Sequence, residues 1–275
     1  MAKADTNLWP MGRFVAVVAG LSLSSALVAQ DSVHFPPADA IAIRVMTDVP
    51  AAQLTTGFLG RTVVGATGSF SFAEFDDGAG APLHHHEREQ VNVGIQGVME
   101  MALGTHTETL PVGAAVITPA NVRHSIRNKS GGKLISLEFH TIRRPDLVPP
   151  RPRPAIPYPV APQPVAIPDD RQLVVQLAPP GQPAGVAKEI QGETCTVAWR
   201  RLAPGAAAAD LAPAKSTAEL FVYVVTGEAD LTATGVSQRI RAGTLLIIPG
   251  SHERVMLEAA GSADVALVGF RPGRH

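Results

Sequence analysis

Residues 90–124 read QVNVGIQGVMEMALGTHTETLPVGAAVITPANVRH, and residues 220–254 read LFVYVVTGEADLTATGVSQRIRAGTLLIIPGSHER. Sliding the first onto the second by 130 positions puts Gly97 on Gly227, Gly113 on Gly243 and Pro119 on Pro249 without a gap. One residue upstream, Glu89 falls on Glu219. The two halves therefore read as duplicated copies of one unit. Each copy opens on apolar residues at every second position, Val91, Val93 and Ile95 in one and Phe221, Tyr223 and Val225 in the other. Alternation with period two is the signature of a strand with one buried face. A run ending in proline follows the second glycine, AAVITP at 114–119 and TLLIIP at 244–249. The pattern is strand, turn, strand, turn, strand, and it predicts an all-β fold of two antiparallel barrels or sandwiches.

The length of 275 residues suits two domains of about 100 to 150 residues each. Lys and Arg total 23 against 24 Asp and Glu. With no strong net field, neither nucleic acid nor an anionic membrane is indicated as a partner. Abundant Gly (25) and Pro (24) fit many short strands joined by turns. Cys195 is the single cysteine, so an internal disulfide and a thiolate zinc site are both excluded. It is expected to pack as a small apolar group.

Between the copies lies LVPPRPRPAIPYPVAPQPVAIP, residues 147–168. Proline at this density forbids helix and sheet interiors and predicts a semi-rigid spacer over 147–169. The spacer divides the chain into domains at 31–146 and 170–275. A strap packed across both domains through Ile156, Tyr158, Val160 and Ile167 is the alternative. Residues 1–30 follow secretory-signal grammar: Arg13, then an apolar run ending in small residues, with no further charge before Asp31. The run is short for a membrane span. Cleavage between Ala26 and Gln30 would leave a periplasmic or secreted protein with no stable membrane anchor. An uncleaved anchor or a buried helix is the competing reading, and Met11 competes with Met1 as the start.

The stretch PLHHHEREQ, residues 82–90, gathers three histidines. His84 and His86 share the parity of Gln90, so a strand beginning near Leu83 would project all three to one side. His124, five residues after Pro119, is a further candidate. Three imidazoles and an amide oxygen suit one divalent first-row metal (Mn, Fe, Co, Ni, Cu or Zn), whereas calcium wants more oxygens. An open coordination side would remain for water or a small-molecule substrate. A solvated, charged loop is the bland alternative. His85, Glu87 and Arg88 have the wrong parity or lie in the turn and are read as surface residues. At the same offset the second copy has Ala214, Ser216, Leu220 and Arg254, and its His252 sits two residues early. That copy is expected to bind no metal and to serve stability, homodimerisation or pocket closure. Glu89 recurs as Glu219 even there, which argues for a structural hydrogen-bonding role.

Counted from Gly78 for the first, the stretches GAPLHHHEREQVNVGIQG and GAAVITPANVRHSIRN fit the spacings G-x5-H-x-H-x3-(E/Q)-x6-G and G-x5-P-x4-H-x3-N. The chain thereby resembles the cupin superfamily, and since both halves are covered it looks like a bicupin with two jelly-roll barrels. The resemblance implies that His84, His86, Gln90 and His124 hold the metal. Asn128 resembles the family's structural asparagine. Gln90 departs from the commoner glutamate; a glutamine there occurs in small cupins resembling the uronate-cyclising enzymes of pectin and alginate breakdown. A neutral amide leaves the site one charge more positive, which weakens metal retention and strengthens Lewis acidity.

The stretch KLISLEFHTIRRPDL, residues 133–147, alternates as well. Ile135, Leu137 and Phe139 share one face; Ser136, Glu138 and His140 share the other. If the polar face lines the barrel, Glu138 or His140 could act as acid or base beside the metal. A wet edge strand is the alternative. Arg143 and Arg144 follow and are candidates for gripping a carboxylate. Three functions stay open at this point: a Lewis-acid enzyme (isomerase or lyase) on a sugar acid, a dioxygenase resembling the flavonol-cleaving cupins, and a non-catalytic sugar or small-ligand binder.

Overall fold

A computed structural model describes residues 33–149, 174–178, 184–185, 187–206, 209–210, 218–233, 235–251 and 255–273. The signal-like segment 1–30, most of the proline-rich segment, and the positions Ala214, Ser216, His252 and Arg254 lie outside the described residues. Among the described residues, no helix is long and apolar enough to cross a membrane.

The regular structure of the described residues is nearly all β-strand, as the alternating pattern requires, and all strand pairs are antiparallel. A seven-stranded sheet runs in the order Val174–Gln176, Ala114–Thr118, Gln90–Gln96, Leu134–His140, Ser69–Phe75, Phe58–Val64, Ala52–Thr55. A four-stranded sheet faces it, ordered Gly80–His84, His124–Asn128, Met99–Leu103, His106–Leu110. The second half repeats the arrangement. Its six-stranded sheet is Ala42–Val45, Thr244–Ile248, Leu220–Thr226, Val265–Pro272, Cys195–Leu202, Ala187–Gln191, and its four-stranded sheet is Ala209–Asp210, Val255–Ala260, Glu228–Ala233, Val236–Arg241.

Each large sheet takes its outermost strand from the other half. Ala42–Val45 pairs with Thr244–Ile248, and Val174–Gln176 pairs with Ala114–Thr118. A division of the chain at the proline-rich segment is therefore not a division of the sheets.

Three apolar clusters follow from the period-two pattern. Phe58, Phe75, Met99, Met101 and Leu134 fill the first barrel. Leu220, Val222, Val224, Leu257 and Leu267 fill the second. The third joins the outer faces of the two large sheets, with Val91, Val93, Phe139, Phe221, Tyr223 and Phe270 at its centre. Phe139 stacks on Phe270 at 4.7 Å, and Phe70 on Tyr223 at 5.6 Å. Each aromatic pair is worth about 0.5–1.5 kcal/mol beyond the area it buries. The odd-numbered face of the Gln90 strand thus packs against the other barrel, which leaves Gln90 and Asn92 for its interior. Cys195 is buried in the same contact.

Gly97 and its counterpart Gly227 both have φ of 81°. A Cβ would lie 2.7 Å from the Lys133 carbonyl oxygen in one and 2.5 Å from that of Asp264 in the other. Only glycine accepts both the left-handed backbone and this approach. Asn128 is fully buried; its Nδ2 donates to the Phe75 and Gly132 carbonyls at 3.0 and 2.6 Å, and its Oδ1 accepts from Ser130 N. That is a structural role.

Candidate metal centre

His84 ends its strand, and Gln90 begins the next. The expected continuous strand through Leu83, His84, His86 and Gln90 is not formed. Residues 85–89 turn a corner between the two sheets of the barrel. The histidines and Gln90 reach one interior because the barrel closes around them, where parity along a single strand had been the expectation. Glu87 and Arg88 are exposed at this corner, whereas His85 is only half-exposed and its Nδ1 is buried without a hydrogen bond.

His124 opens its own strand directly opposite His84. The ligand atoms of His84, His86 and His124 all lie within 4.8 Å of one another. Ring centroids are 4.2 Å apart for His84 and His124, 4.7 Å for His84 and His86, and 5.2 Å for His86 and His124. His84 Nδ1 donates to the Pro82 carbonyl at 2.6 Å, and His124 Nδ1 to the Val122 carbonyl at 3.0 Å. A carbonyl only accepts, so both rings carry their proton on Nδ1 and turn the lone pair of Nε2 inward. Backbone locks of this kind fix the tautomer of metal-ligating histidines.

Gln90 and His140 join the three histidines at one cavity, whose volume is about 30 Å³. Gln90 Oε1, His124 Nε2 and His140 Nε2 are buried and have no hydrogen-bond partner. Leaving such an atom unsatisfied costs about 1–3 kcal/mol, so a water or a bound ion at this cluster would add stability. Gln90 Nε2 donates to Asn92 Oδ1 at 2.8 Å, and Asn92 Nδ2 donates to Glu138 Oε1 at 3.3 Å. The Leu134–His140 strand is flanked on both sides, so Glu138 and His140 line the cavity and do not form a wet edge. Phe58, Met101, Ile126 and Leu147 supply its apolar wall.

Arg144 lines the cavity, with Nη1 3.5 Å from His86 Nδ1 and its guanidinium paired with Asp146 at 2.7 Å. Arg143 is exposed and is not among the lining residues. Leu147, placed by its spacing at the head of the proline-rich segment, is buried against the cavity after the turn Pro145–Leu147.

Burial, with neighbouring imidazoles and Arg144, sets the protonation states. Burial first, and then the charges of Arg144 and His85, pull His84 down to about 4. Burial and His84 pull His124 down to about 3. His86 and His140 are also held well below the usual imidazole range, chiefly by burial. All four are neutral at pH 7, the form that binds a metal. Burial pushes the Glu138 carboxyl up to about 7, against the lowering effects of Arg144 and the Asn92 hydrogen bond.

The donor set fits a divalent metal: neutral imidazoles, those of His84 and His124 with fixed tautomers, an unengaged amide oxygen, and close convergence. In the second barrel, Leu220 occupies the position of Gln90 within an apolar cluster. Among the described residues, the metal-type cluster is confined to the first half. The sequence reading did not single out Asn92 as a partner of Gln90. Its parity signal was present, but the contact to Glu138 depends on the register between two strands 46 residues apart.

Residues 71–139 match the model of the cupin domain family. No curated protein sequence matches the chain. Among solved structures, AerE from Microcystis aeruginosa aligns with a TM-score of 0.61 at 13% identity, covering 82% of this chain and 97% of that one. A variant of the oxalate decarboxylase OxdC of Bacillus subtilis aligns at 0.63 and 14%, covering 96% and 86%. The formate complex of oxalate decarboxylase from Lactobacillus farciminis aligns at 0.63 and 14%, covering 84% and 86%. Another structure similar to this chain is described by the Mn(II) centres of the Bacillus subtilis enzyme.

Proposed function

Starting from a chain that carries a cupin domain in a two-barrel, bicupin-like fold, we propose that the first barrel is a metal-dependent catalytic site for a small carboxylate-bearing molecule. The observation that carries this reading is the convergence of three imidazoles, an amide oxygen and Glu138 on one small cavity. His84, His86, His124 and Gln90 would hold one divalent first-row metal. Such an ion supplies Lewis-acid polarisation of a bound oxygen.

The chain's own residues supply the rest. Glu138, pushed up to about 7, is poised to give or take a proton near neutral pH. Arg144 presents a guanidinium at the cavity and offers bidentate pairing to a carboxylate, in competition with Asp146. The cavity admits roughly the volume of one or two water molecules beside the histidines. A sugar acid would therefore place only its carboxylate end there. The oxalate decarboxylases similar to this chain support the carboxylate class. The apolar wall of Phe58, Met101, Ile126 and Leu147 favours a second reading, a dioxygenase, since a small site with an apolar wall also suits dioxygen.

We also read residues 1–30 as an export signal, on the Arg13-to-Ala29 pattern. N-terminal sequencing of the exported protein tests this, and recovery of intact Met1 from the cytosolic fraction would refute it. For the site, the experiment is metal analysis of untagged protein, then turnover assays on oxalate and uronates with oxygen uptake recorded in parallel. Metal near one per chain with turnover of a carboxylate and no oxygen consumption supports the Lewis-acid reading. Oxygen uptake moves it to the second, and full metal loading without turnover of any probe leaves a binder.

A further inference from the structure

The amide of Gln90 is ambiguous by itself. Rotated by half a turn it would present an NH2 group, a donor that repels a cation, in place of an oxygen. Two neighbours remove that freedom. Asn92 Nδ2 donates to Glu138 Oε1 at 3.3 Å, so Asn92 turns its Oδ1 the other way, where it accepts from Gln90 Nε2 at 2.8 Å. With its nitrogen engaged, Gln90 has only Oε1 left to present, and that atom is buried without a hydrogen-bond partner.

We propose that Asn92, itself oriented by Glu138, is a positioning residue that holds the Gln90 amide with its oxygen toward His84, His86 and His124. The acceptor character of the carboxylate is thereby passed through two amides to the edge of the metal site. Strand geometry builds the relay: Gln90 and Asn92 alternate onto the barrel interior, and Asn92 stands directly across from Glu138. All three residues are buried, so no bulk water offers the amides another arrangement. The second barrel has replaced the whole relay. Leu220 and Val222 occupy the positions of Gln90 and Asn92, and Val222 is paired with Gly269 where Asn92 is paired with Glu138.

This inference rests on the reading of Gln90 as an oxygen ligand, and its test separates the two. Zinc(II) is titrated into chelator-stripped wild type, Asn92→Leu, Gln90→Glu and the double variant, with circular dichroism as the check of folding. Asn92→Leu should weaken zinc binding by about 10- to 100-fold, the usual effect of losing an outer-shell partner. In the Gln90→Glu background both carboxylate oxygens are acceptors and orientation no longer matters. There the same substitution should change affinity by no more than about twofold, the scatter of uncoupled sites. Equal losses in both backgrounds, or no loss in either, would overturn the proposal. Asn92→Asp keeps an acceptor facing Gln90 Nε2 and covers the case in which the leucine variant does not fold. It should retain or improve zinc affinity, and a loss as large as that of Gln90→Leu overturns the proposal. Unchanged affinity in Gln90→Leu itself would remove the ligand reading instead.

Discussion

Glu89 and Glu219 make the same contact in opposite directions. Glu219, in the second half, accepts from Ala66 N at 2.8 Å and from Thr67 N and Oγ1 at 3.0 and 3.2 Å, all in the first half. Glu89, in the first half, accepts from Glu193 N at 2.7 Å and from Thr194 N and Oγ1 at 2.5 and 2.8 Å, in the second. Each carboxylate sits on a Gly-x-Thr turn, Gly65 to Thr67 and Gly192 to Thr194. At Gly192 a Cβ would lie 2.8 Å from both Glu89 oxygens, and at Gly65 it would collide with Glu219. Both carboxylates are buried, so the clasp locks the halves together twice.

Removing either carboxylate strands two backbone N–H groups in the contact between the halves. Glu89→Ala and Glu219→Ala should each destabilise the protein by about 2–4 kcal/mol, and by similar amounts. Zinc affinity should change little in Glu219→Ala, whose contact is remote from the histidines. Denaturant unfolding provides the measurement; a loss under about 0.5 kcal/mol, the level of a neutral surface change, would show that the clasp contributes nothing net.

His86→Ala or His124→Ala should bring bound metal from near one per chain toward none, because the remaining donors no longer enclose an ion. His252→Ala should leave it unchanged. Elemental analysis of the three purified variants decides the matter, and equal metal content in all of them would refute the site.

Gln90→Glu replaces a neutral oxygen donor with an anionic one of nearly the same shape. Metal should bind about tenfold or more tightly, while turnover that relies on Lewis acidity should fall. Gln90→Leu, which copies Leu220, should lose both. Titration of chelator-stripped protein together with steady-state kinetics gives the two numbers.

The pH dependence of stability, measured in chelator, should carry two opposed contributions. His84 and His124 have folded values of about 4 and about 3, below the ordinary imidazole value of 6.5. The unfolded chain binds their protons first, so their contribution is present above 6.5 and is lost as pH falls toward 4 and 3. Glu138 is the reverse: its folded value of about 7 lies above 4.5, so stability falls as pH rises from 4.5 to 7. Glu138→Gln should remove that second slope, making the variant relatively more stable at pH 8 than at pH 5. Melting temperatures across this range test it, and parallel curves for variant and wild type would show that Glu138 ionises without penalty.

The amino-acid order alone determined the duplication and the all-β class, and it singled out His84, His86, Gln90 and His124 as candidate metal-type residues. Side-chain direction along a strand has a fixed period of two, so shared faces are legible without coordinates. The same period placed Glu138 and His140 together, and the recurrence of Glu89 as Glu219 in the copy without ligands gave that pair a structural role. Tertiary structure alone decided what covers each face. Val91 and Val93 pack on the other barrel, the Leu134–His140 strand is central, and Arg144 lines the cavity while Arg143 is exposed. It also decided that a corner separates His84 from Gln90, that each half lends the other a strand, and that Asn92 meets Glu138. These features depend on register and closure between segments far apart in the chain, which local periodicity does not encode.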